Sequence, residues 1–315
     1  MKVVLLAGGV GGAKMAEGLA AHVGSDLTVV VNTGDDFELY GLEIWPDHDT
    51  VAYTLAGLDD EERGWGLRDE AWTVMDRLEG LGDEPWFRLG DRDLATHLYR
   101  TERLLVGKRP TDIALELAAA LGIGPRVLPM SDEPIRTELR TDDGWLEFQE
   151  YFVHRHQEPS VHEVRFHGIE VAQATPEVTA AIDAAEVVVI APSNPVVSID
   201  PILALPGLRT ALMAARGRHV PIVAVSGIIG GKALKGPADR MLASLGGVSS
   251  AAAVASRYTP LISHFVMDTV DAGLRPEVEA LRVRTLVTDT IMTDDAARAR
   301  LGGEVLRFVK PDTDP

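Results

Sequence analysis

Apolar residues along this chain fall into short runs, and polar or glycine-rich segments follow several of these runs directly. Val3–Leu6, Leu27–Val31, Val187–Ile190 and Ile222–Val225 are apolar almost throughout. Such runs are typical of parallel strands that are covered on both faces. Helical periodicity lies between them, beginning with a first helix that we expect to end at about His22. The pattern predicts an α/β fold: a Rossmann-like, doubly wound and mostly parallel sheet.

Residues 59–124 have a different pattern, with helical periodicity, frequent glycines and no alternation of the strand type. We therefore expect a small helical insertion here that overhangs the active site. The predicted domain organisation is an α/β nucleotide-binding core, formed by residues 1–58 and 125–315, interrupted by this insertion. Its expected helices are Glu70–Leu78, Leu94–Leu104 and Ile113–Leu121.

Two further predictions concern strands outside the parallel alternation. Ile135–Thr141 and Trp145–Gln149 flank Asp143-Gly144, and an Asp-Gly pair between two strand-like runs is a strong hairpin signal. This hairpin would be an excursion from the main sheet. Near the end of the chain, we expect Val305–Phe308, which is mostly apolar, to form a last strand.

The segment after the first strand is rich in glycine and ends in a lysine. Gly8, Gly9, Gly11 and Gly12 precede Lys14, and glycines at a helix start allow backbone N–H groups to approach a phosphate. The segment lacks the third glycine of a dinucleotide fingerprint and the Ser or Thr that follows the lysine of a P-loop. We expect a phosphate site of neither common type; the alternative is a tight strand-to-helix turn without a ligand.

Acidic residues follow the second strand and then recur shortly afterwards. Asp35 and Asp36 come directly after this strand, at the edge where α/β sheets place ligands, and Asp47 and Asp49 lie nearby in sequence. Carboxylates together with substrate phosphates are typical ligands of Mg²⁺. The pattern predicts a Mg²⁺ site. The alternatives are a solvated turn at Asp35 and Asp36, and capping of the next helix by Asp47 or Asp49.

Two other strand ends carry polar groups. Ser193 and Asn194 follow the strand Val187–Ile190 and offer donors and acceptors for a base or a sugar, although a proline-locked turn is an equal alternative. Residues 226–235 form a second glycine-rich segment with Lys232 and Lys235. This segment resembles a P-loop that is one residue short, and we expect it to face a phosphate as well.

The insertion contributes a pair of arginines, Arg88 and Arg92. Guanidinium groups can bind phosphate through two hydrogen bonds, so this pair is a candidate phosphate contact. His97 lies nearby, and we expect it to be structural, because a single histidine is more often so.

Composition and charge narrow the class of function. The formal net charge of −18 argues against non-specific binding to nucleic acid or to anionic membranes. The chain has no cysteine, which excludes disulfides and thiolate chemistry, and no apolar run approaches the length of a membrane span. We find no signal peptide and expect a cytoplasmic protein. Glycine amides, lysines and carboxylates suit phosphoryl or nucleotidyl transfer, which needs positioning and charge neutralisation rather than a covalent nucleophile.

Several segments together resemble one family. Residues 7–14 (AGGVGGAK), 32–36 (NTGDD), 46–50 (PDHDT), 89–97 (LGDRDLATH) and 191–195 (APSNP) occur in this order. They are similar to the 2-phospho-L-lactate transferase family of deazaflavin coenzyme F-420 biosynthesis. His48 stands where we would expect an apolar residue.

The resemblance implies an activity and its two substrates. The donor would be a guanosine diphosphate ester of 2-phospholactate, phosphoenolpyruvate or phosphoglycerate, a choice that the sequence leaves open. The acceptor would be the ribityl hydroxyl of 7,8-didemethyl-8-hydroxy-5-deazariboflavin, with GMP as the leaving group. The resemblance also implies a homodimer. The alternative is a relative that binds a nucleotide or sugar nucleotide without transferase activity.

The same resemblance assigns roles to residues of this chain. Mg²⁺ would be held by Asp35, Asp36 and Asp49. Catalysis would rest on Asp35, Asp49 and Arg92. Together with the direct reading of the sequence, it gives the predicted substrate contacts: Gly8, Gly9, Gly11, Gly12, Lys14, Thr33, Arg88, Ser193, Asn194 and Lys232.

Overall fold

The structure, a computed structural model, describes residues 1–310. Its strands, in chain order, are β1 (Val3–Ala7), β2 (Leu27–Val31), β3 (Phe37–Leu39), β4 (Leu42–Ile44), β5 (Arg126–Pro129), β6 (Arg136–Thr141), β7 (Gly144–Glu147), β8 (Val161–His167), β9 (Val187–Ile190), β10 (Ile222–Val225), β11 (Ile228–Ile229), β12 (Lys232–Ala233), β13 (His264–Asp268) and β14 (Arg284–Thr288).

The α-helices are α1 (Gly9–Val23), α2 (Pro46–Leu55), α3 (Thr73–Gly80), α4 (Asp93–Leu105), α5 (Pro110–Ala120), α6 (Pro176–Ala184), α7 (Asp200–Ala204), α8 (Leu208–Gly217), α9 (Ala238–Ser244), α10 (Ala251–Tyr258), α11 (Arg275–Glu279) and α12 (Asp295–Phe308).

Seven parallel strands form the central sheet, in the order β14-β13-β10-β9-β1-β2-β5. The direction of chain progression reverses at β1, which lies between β2 and β9. Ligands of open α/β sheets bind at such a switch point, outside the carboxyl ends of the strands. The predicted doubly wound, mostly parallel sheet is confirmed.

Strand β1 lies at the centre of the core. Val4 and Leu6 belong to one cluster of buried apolar residues, whereas Val3 and Leu5 belong to another. Because alternate residues of a strand point to opposite faces, both faces of the sheet at β1 are covered. This double burial explains why the run is apolar without interruption.

Two antiparallel hairpins flank the site end of the sheet. The predicted one is confirmed as β6 and β7, and β8 pairs with the other side of β6. The sequence analysis missed the other, β3 and β4, which turns through Tyr40 and Gly41 with φ angles of 54° and 72°. This short hairpin follows Asp36 and reverses the chain immediately before α2. It therefore brings Asp47 and Asp49 of α2 back toward Asp35 and Asp36.

The predicted strand Val305–Phe308 is wrong, because these residues form the last turns of α12. Leu301 and Val305 are fully buried and are spaced one helical turn apart. Helices α12 and α1 cross closely: a Cβ atom at Gly302 would overlap the backbone carbonyl of Gly18. The four-residue window was too short to reveal this helical period.

Helices α3, α4 and α5 fall within residues 59–124, as predicted, and α4 packs against β4. The division into a core and an insertion remains a prediction. Among residues 1–310, no single helix has the length and apolar character of a membrane span. Two consecutive helical segments, Pro195–Ala204 and Leu208–Gly217, reach that length and composition only as a pair bent by 83°.

Candidate active site

The glycine-rich segment forms the first turn of α1 rather than a separate loop. The helix begins at Gly9, directly after its N-cap residue Gly8. A Cβ atom at Gly11 would overlap the carbonyl oxygen of Pro192, in the segment that follows β9. Gly11 therefore lets the N-terminus of α1 pack directly against the neighbouring strand end at the switch point.

The segment after β9 holds β1 and α1 in place. The Ser193 hydroxyl donates a hydrogen bond to the carbonyl oxygen of Gly8, with an O–O distance of 2.6 Å. The side-chain oxygen of Asn194 accepts from the N–H of Val196 at 3.0 Å and so caps the following helical turn. Ser193 thus lies at the predicted site. The side-chain oxygen of Asn194 is used for capping, which supports the proline-turn alternative for this segment.

Asp47 binds the N-terminus of α1. Its Oδ1 atom accepts from the N–H of Gly9 at 2.7 Å, and its Oδ2 atom accepts from the Asn32 amide at 2.9 Å. The predicted capping of α2 by Asp47 or Asp49 is wrong: α2 begins at Pro46, and both aspartates lie inside its first turn without a capping bond. Burial raises the pKa of Asp47 to about 6, although both hydrogen bonds favour the charged form.

Asp35 and Asp36 are buried beside this group. Burial raises the pKa of each well above its ordinary range, and the Asp47 carboxylate adds to the shift of both. Arg136 and Arg100 oppose the shift at Asp36. Within residues 1–310, Asp35 Oδ1, Asp36 Oδ1 and Thr33 Oγ1 are buried without a hydrogen-bond partner. Buried oxygens of this kind are ready to accept a ligand or a metal.

Asp49 lies two residues after Asp47 in the first turn of α2, and it contacts α4. It forms a buried ion pair with Arg100 of that helix. Burial alone would raise the pKa of Asp49, but the Arg100 guanidinium together with His48 and His97 holds the pKa well below its usual range. Asp49 is therefore charged at neutral pH.

Arg100 is itself fully buried and held from several sides. Its guanidinium lies 4.2 Å from the ring centroid of Trp45 and donates to the carbonyl oxygen of Glu43 at 3.1 Å. One guanidinium nitrogen also lies 3.2 Å from Nδ1 of His97. These contacts fix both α4 and the carboxylate of Asp49, because a buried guanidinium keeps its partners in one arrangement.

Helix α4 brings two more ligand-type side chains to Asp49. Among the described residues, Asp49, Asp93 and His97 form the one group of three acidic or histidine side chains whose ligand atoms all lie within 4.8 Å of one another. Nε2 of His97 is 3.2 Å from Oδ2 of Asp93, and the Tyr53 hydroxyl donates to Oδ1 of Asp93 at 2.6 Å. This buried group could bind a metal ion.

From the sequence alone, His97 is expected to be structural, and Asp93 and Arg100 are not among the candidate site residues. The available signal was their spacing: Asp93, His97 and Arg100 recur at intervals of four and three residues, which places them on one face of a helix. What the sequence could not reveal was that this face packs against α2.

Other predicted residues make their polar contacts elsewhere. Arg88 pairs with Asp76 and Glu79 of α3, and Arg92 donates to the carbonyl oxygen of Arg68 at 2.7 Å. These arginines lie near the start of α4, but their guanidinium groups bind within the insertion.

Lys232 lies in a β-hairpin, β11–β12, not in a phosphate loop. Its side chain is 80% exposed and lies 3.4 Å from Asp239. The N–H of Gly230 in this hairpin donates a hydrogen bond to the Asp271 carboxylate at 3.1 Å. A Cβ atom at Gly227 would come close to the backbone of Pro192 and Ser193, after β9. Residues 228–233 thus form a hairpin rather than an open loop, and a phosphate contact by this segment stays a prediction.

Lys14 lies on the second turn of α1 and faces a small cavity. Its ammonium group donates to the carbonyl oxygen of Met292 at 2.9 Å. Burial and the neighbouring cations Arg298 and Lys235 lower the pKa of Lys14. A separate cleft of about 150 Å³ reaches Asp36 and Thr33 from the side of Trp45 and Arg136. The cleft therefore reaches the acidic group, whereas the cavity lies beside α1 and α2.

The comparison with protein families decides the identity of this arrangement. The family model described as 2-phospho-L-lactate transferase CofD matches residues 3–302. This chain belongs to the CofD family. The family resemblance expected from the sequence is therefore confirmed, and the protein is a transferase of this family.

Individual relatives are similar over nearly the whole CofD-family chain. The phosphoenolpyruvate transferase of Streptomyces griseus is 43% identical over 98% of this chain and 99% of its own. The enzymes of the same name from Kitasatospora aureofaciens and Mycobacterium ulcerans are 42% and 41% identical. They cover 98% and 96% of this chain.

A solved structure confirms the fold of this CofD-family protein. A UPF0052-family protein from Bacillus halodurans superposes with a TM-score of 0.62 at 15% identity. The superposition covers 96% of this chain and 98% of that one. At this level of identity the likeness concerns the fold alone.

Proposed function

We propose that this protein transfers the phosphoenolpyruvyl group from its guanosine diphosphate ester to the ribityl hydroxyl of 7,8-didemethyl-8-hydroxy-5-deazariboflavin and releases GMP. The reaction is a step of coenzyme F-420 biosynthesis. The observation that carries the proposal is the convergence of four buried aspartates, three of them with an unpaired carboxylate oxygen, beside the N-terminus of α1. The names of the relatives favour phosphoenolpyruvate among the three donors left open by the sequence.

The residues present fit a Mg²⁺ ion. Asp35 Oδ1, Asp36 Oδ1 and Asp49 Oδ2 are buried and lack a hydrogen-bond partner within residues 1–310, and Mg²⁺ prefers oxygen ligands. We assign the ion to Asp35, Asp36 and Asp49. When bound, it would neutralise negative charge on the diphosphate. Asp93 and His97 adjoin Asp49, and we assign them to holding this carboxylate in place.

The chain itself positions the donor. The N-terminus of α1 favours an anion, and its glycines allow the diphosphate to approach the backbone. Lys14 supplies a cation one turn further along the same helix. The diphosphate is therefore held between α1 and the acidic group, which is tied to α1 through the contact of Asp47 with Gly9.

The transfer itself requires an acceptor for one proton. The ribityl hydroxyl oxygen forms a bond to the phosphorus distal to guanosine, while the bond from this phosphorus to the bridging oxygen breaks and GMP leaves with the electron pair. We assign the hydroxyl proton to Asp35, whose buried Oδ1 atom lacks a hydrogen-bond partner within residues 1–310 and can accept it. Asp49 remains ionised through its pair with Arg100.

Mass spectrometry of the product tests the proposal. The purified protein, with Mg²⁺ and the deazariboflavin, is given the guanosine diphosphate ester of phosphoenolpyruvate, of 2-phospholactate or of phosphoglycerate. We expect the enolpyruvyl phosphodiester to form fastest, with one GMP per product. Faster transfer of phospholactate or phosphoglycerate would overturn the donor assignment, and no phosphodiester from any donor would overturn the function.

We also propose that the protein acts in the cytoplasm as a homodimer, which the family resemblance supports. Light scattering after size-exclusion chromatography measures the mass directly. A mass near 34 kDa, that of a single chain, would contradict the dimer.

A further inference from the structure

A small cavity beside α1 is lined by three cationic side chains: Lys14, Lys235 and Arg298. We propose that this cavity binds the carboxylate of the donor's three-carbon group, between the ammonium groups of Lys14 and Lys235. The proposal rests on the proposed function, since it concerns the same donor. It assigns a role to Lys235 and Arg298 that the mechanism above does not use.

The position of the cavity suits a group attached to the diphosphate. Val10, in the first turn of α1, lines the cavity together with Thr50 and Thr54 of α2. These threonines follow Asp47 by three and seven residues and so lie on its face of the helix. The cavity therefore adjoins the helix end at which we place the diphosphate, on the side of Asp47.

The charges favour a small anion. Within residues 1–310, neither Lys14 nor Lys235 has a carboxylate within 4.0 Å. Asp59 and Glu61 also line the cavity, but Glu61 pairs with Arg298. Lys14 and Lys235, which form no ion pair within residues 1–310, therefore outnumber Asp59, the carboxylate that is left in the cavity lining. This local excess of positive charge contrasts with the net charge of −18 of the whole chain. Cationic side chains that line one cavity attract an anion to it.

Arg298 provides a second, independent indication. Its side chain is 2% exposed, pairs with Glu17 of α1 and Glu61, and lines the cavity. Its Nε atom is buried without a hydrogen-bond partner among the described residues. An unpaired buried donor is costly, and a ligand oxygen in the cavity would relieve this cost.

The size of the cavity matches a carboxylate. Its volume is about 20 Å³, whereas a cavity needs roughly 10–15 Å³ by the same measure to hold one water molecule. Gly64 and Trp65 of the insertion cover it. The ammonium group of Lys235 lies close to Gly64, whose φ angle of +80° is a backbone conformation that favours glycine.

Steady-state kinetics and GDP binding test the site together. Lys235→Met removes one cation, and we expect the KM for the guanylated phosphoenolpyruvate to rise about 10-fold or more, as is typical of a lost charge-assisted hydrogen bond. The Kd for GDP, which lacks the three-carbon group, should stay within about twofold. Lys235→Arg should restore most of the affinity. Lys108→Met, at a lysine paired with Glu116 in the insertion, is the matched control.

Binding of ¹³C-labelled pyruvate to the GDP-saturated protein tests the site without turnover. We expect line broadening of the pyruvate carboxyl signal in wild type and in Lys108→Met, and its loss in Lys235→Met. Competition between GDP and pyruvate, or an equal loss of GDP affinity in Lys235→Met, would show that the cavity binds the diphosphate and would overturn the proposal. So would unchanged pyruvate binding in Lys235→Met. If pyruvate binds as expected but no donor is turned over, the proposed function fails and the carboxylate site stands.

Discussion

Two glycine-rich turns of this protein look alike in sequence and differ in structure. Each follows a buried parallel strand, β1 or β10, and in each a buried aspartate accepts from a glycine N–H: Asp47 from Gly9 and Asp271 from Gly230. The first turn opens the 15-residue helix α1. The second folds back as the short hairpin β11–β12 and opens no helix of its own.

The difference lies in what surrounds each turn. The first lies at the switch point of the sheet, where β2 and α2 bring Asp35, Asp36 and Asp49 to the neighbourhood of Asp47. The second lies between β10 and α9, where the side chain of Lys232 is exposed to solvent. Glycine content alone therefore does not identify a phosphate site. The position in the sheet and the charges that other segments bring to it decide the role.

The strongest test of this comparison is to remove one carboxylate beside each turn, Asp49 for the first and Asp271 for the second. We expect Asp49→Ala to abolish Mg²⁺-dependent GMP release, a loss of at least about 1000-fold, because the charges of the transferred group are no longer neutralised. Asp271→Ala, which removes the carboxylate that binds Gly230 of the second turn, should retain most of the activity. Circular dichroism of both variants checks the fold. Full turnover by Asp49→Ala would contradict the assignment of this residue.

Gly11→Ala probes the packing of the first turn. The added Cβ atom would meet the backbone carbonyl of Pro192, which cannot rotate away, so the N-terminus of α1 must shift. We expect kcat/KM to fall about 100-fold, as small displacements of binding groups typically cause, and unfolding to become easier by roughly 1–3 kcal/mol.

The control for Gly11→Ala is Gly217→Ala, at the end of α8, where the added methyl group meets nothing within 4 Å. We expect no loss of activity in this variant. Equal activity of Gly11→Ala and wild type would show that the close approach to Pro192 is not needed for function.

The strands and their polar ends could be predicted from the sequence because they depend on local signals. The apolar run Val3–Leu6 and the adjacent glycines were sufficient for the first turn, and Asp143-Gly144 was sufficient for the β6–β7 hairpin. The role of Arg100 could not be predicted, because it depends on α4 packing against α2 over a separation of 51 residues from Asp49. The same limit applies to Arg298, whose partners Glu17 and Glu61 lie more than 200 residues away in sequence.

Arg100 is the buried cation that pairs with Asp49, beside the first turn. Replacing it tests whether metal binding at the first turn depends on this pair. Arg100→Gln leaves Asp49 without its ion pair. We expect the affinity for Mn²⁺, measured by electron paramagnetic resonance, to fall by about 10-fold or more. Arg100→Lys should recover only part of the loss, because a lysine cannot make the same set of contacts to Asp49, Glu43 and Trp45. Unchanged Mn²⁺ affinity in Arg100→Gln would show that Arg100 only joins the two helices.

The smallest effect concerns the pH dependence of stability in the metal-free protein. Burial raises the pKa of Asp47 from 3.8 to about 6, so the folded state binds the proton more tightly than the unfolded state. Asp47 therefore contributes less to the stability of the folded state at pH 7 than at pH 4, and the loss occurs mainly between these two pKa values. Asp35 and Asp36 shift in the same direction.

Thermal unfolding in EDTA measures this effect. We expect the wild-type Tm to rise as the pH is lowered from 7 to 5, and Mg²⁺ to reduce the difference by favouring the charged carboxylates. Asp35→Asn should be more stable than wild type at pH 7 and show a weaker pH dependence. If the wild-type Tm falls as the pH is lowered from 7 to 5, the charged forms of these buried carboxylates do not destabilise the folded protein, and the prediction is contradicted.

The contact between a bound metal ion and the donor diphosphate tests most directly whether the first turn is the reaction site. Electron–nuclear double resonance on the protein with Mn²⁺ and GDP detects coupling between the metal and phosphorus. We predict strong ³¹P coupling in wild type, its retention in Asp271→Ala and its loss in Asp49→Ala. A coupling that is unchanged in Asp49→Ala, or absent from wild type with both ligands bound, would contradict the assignment of the first turn.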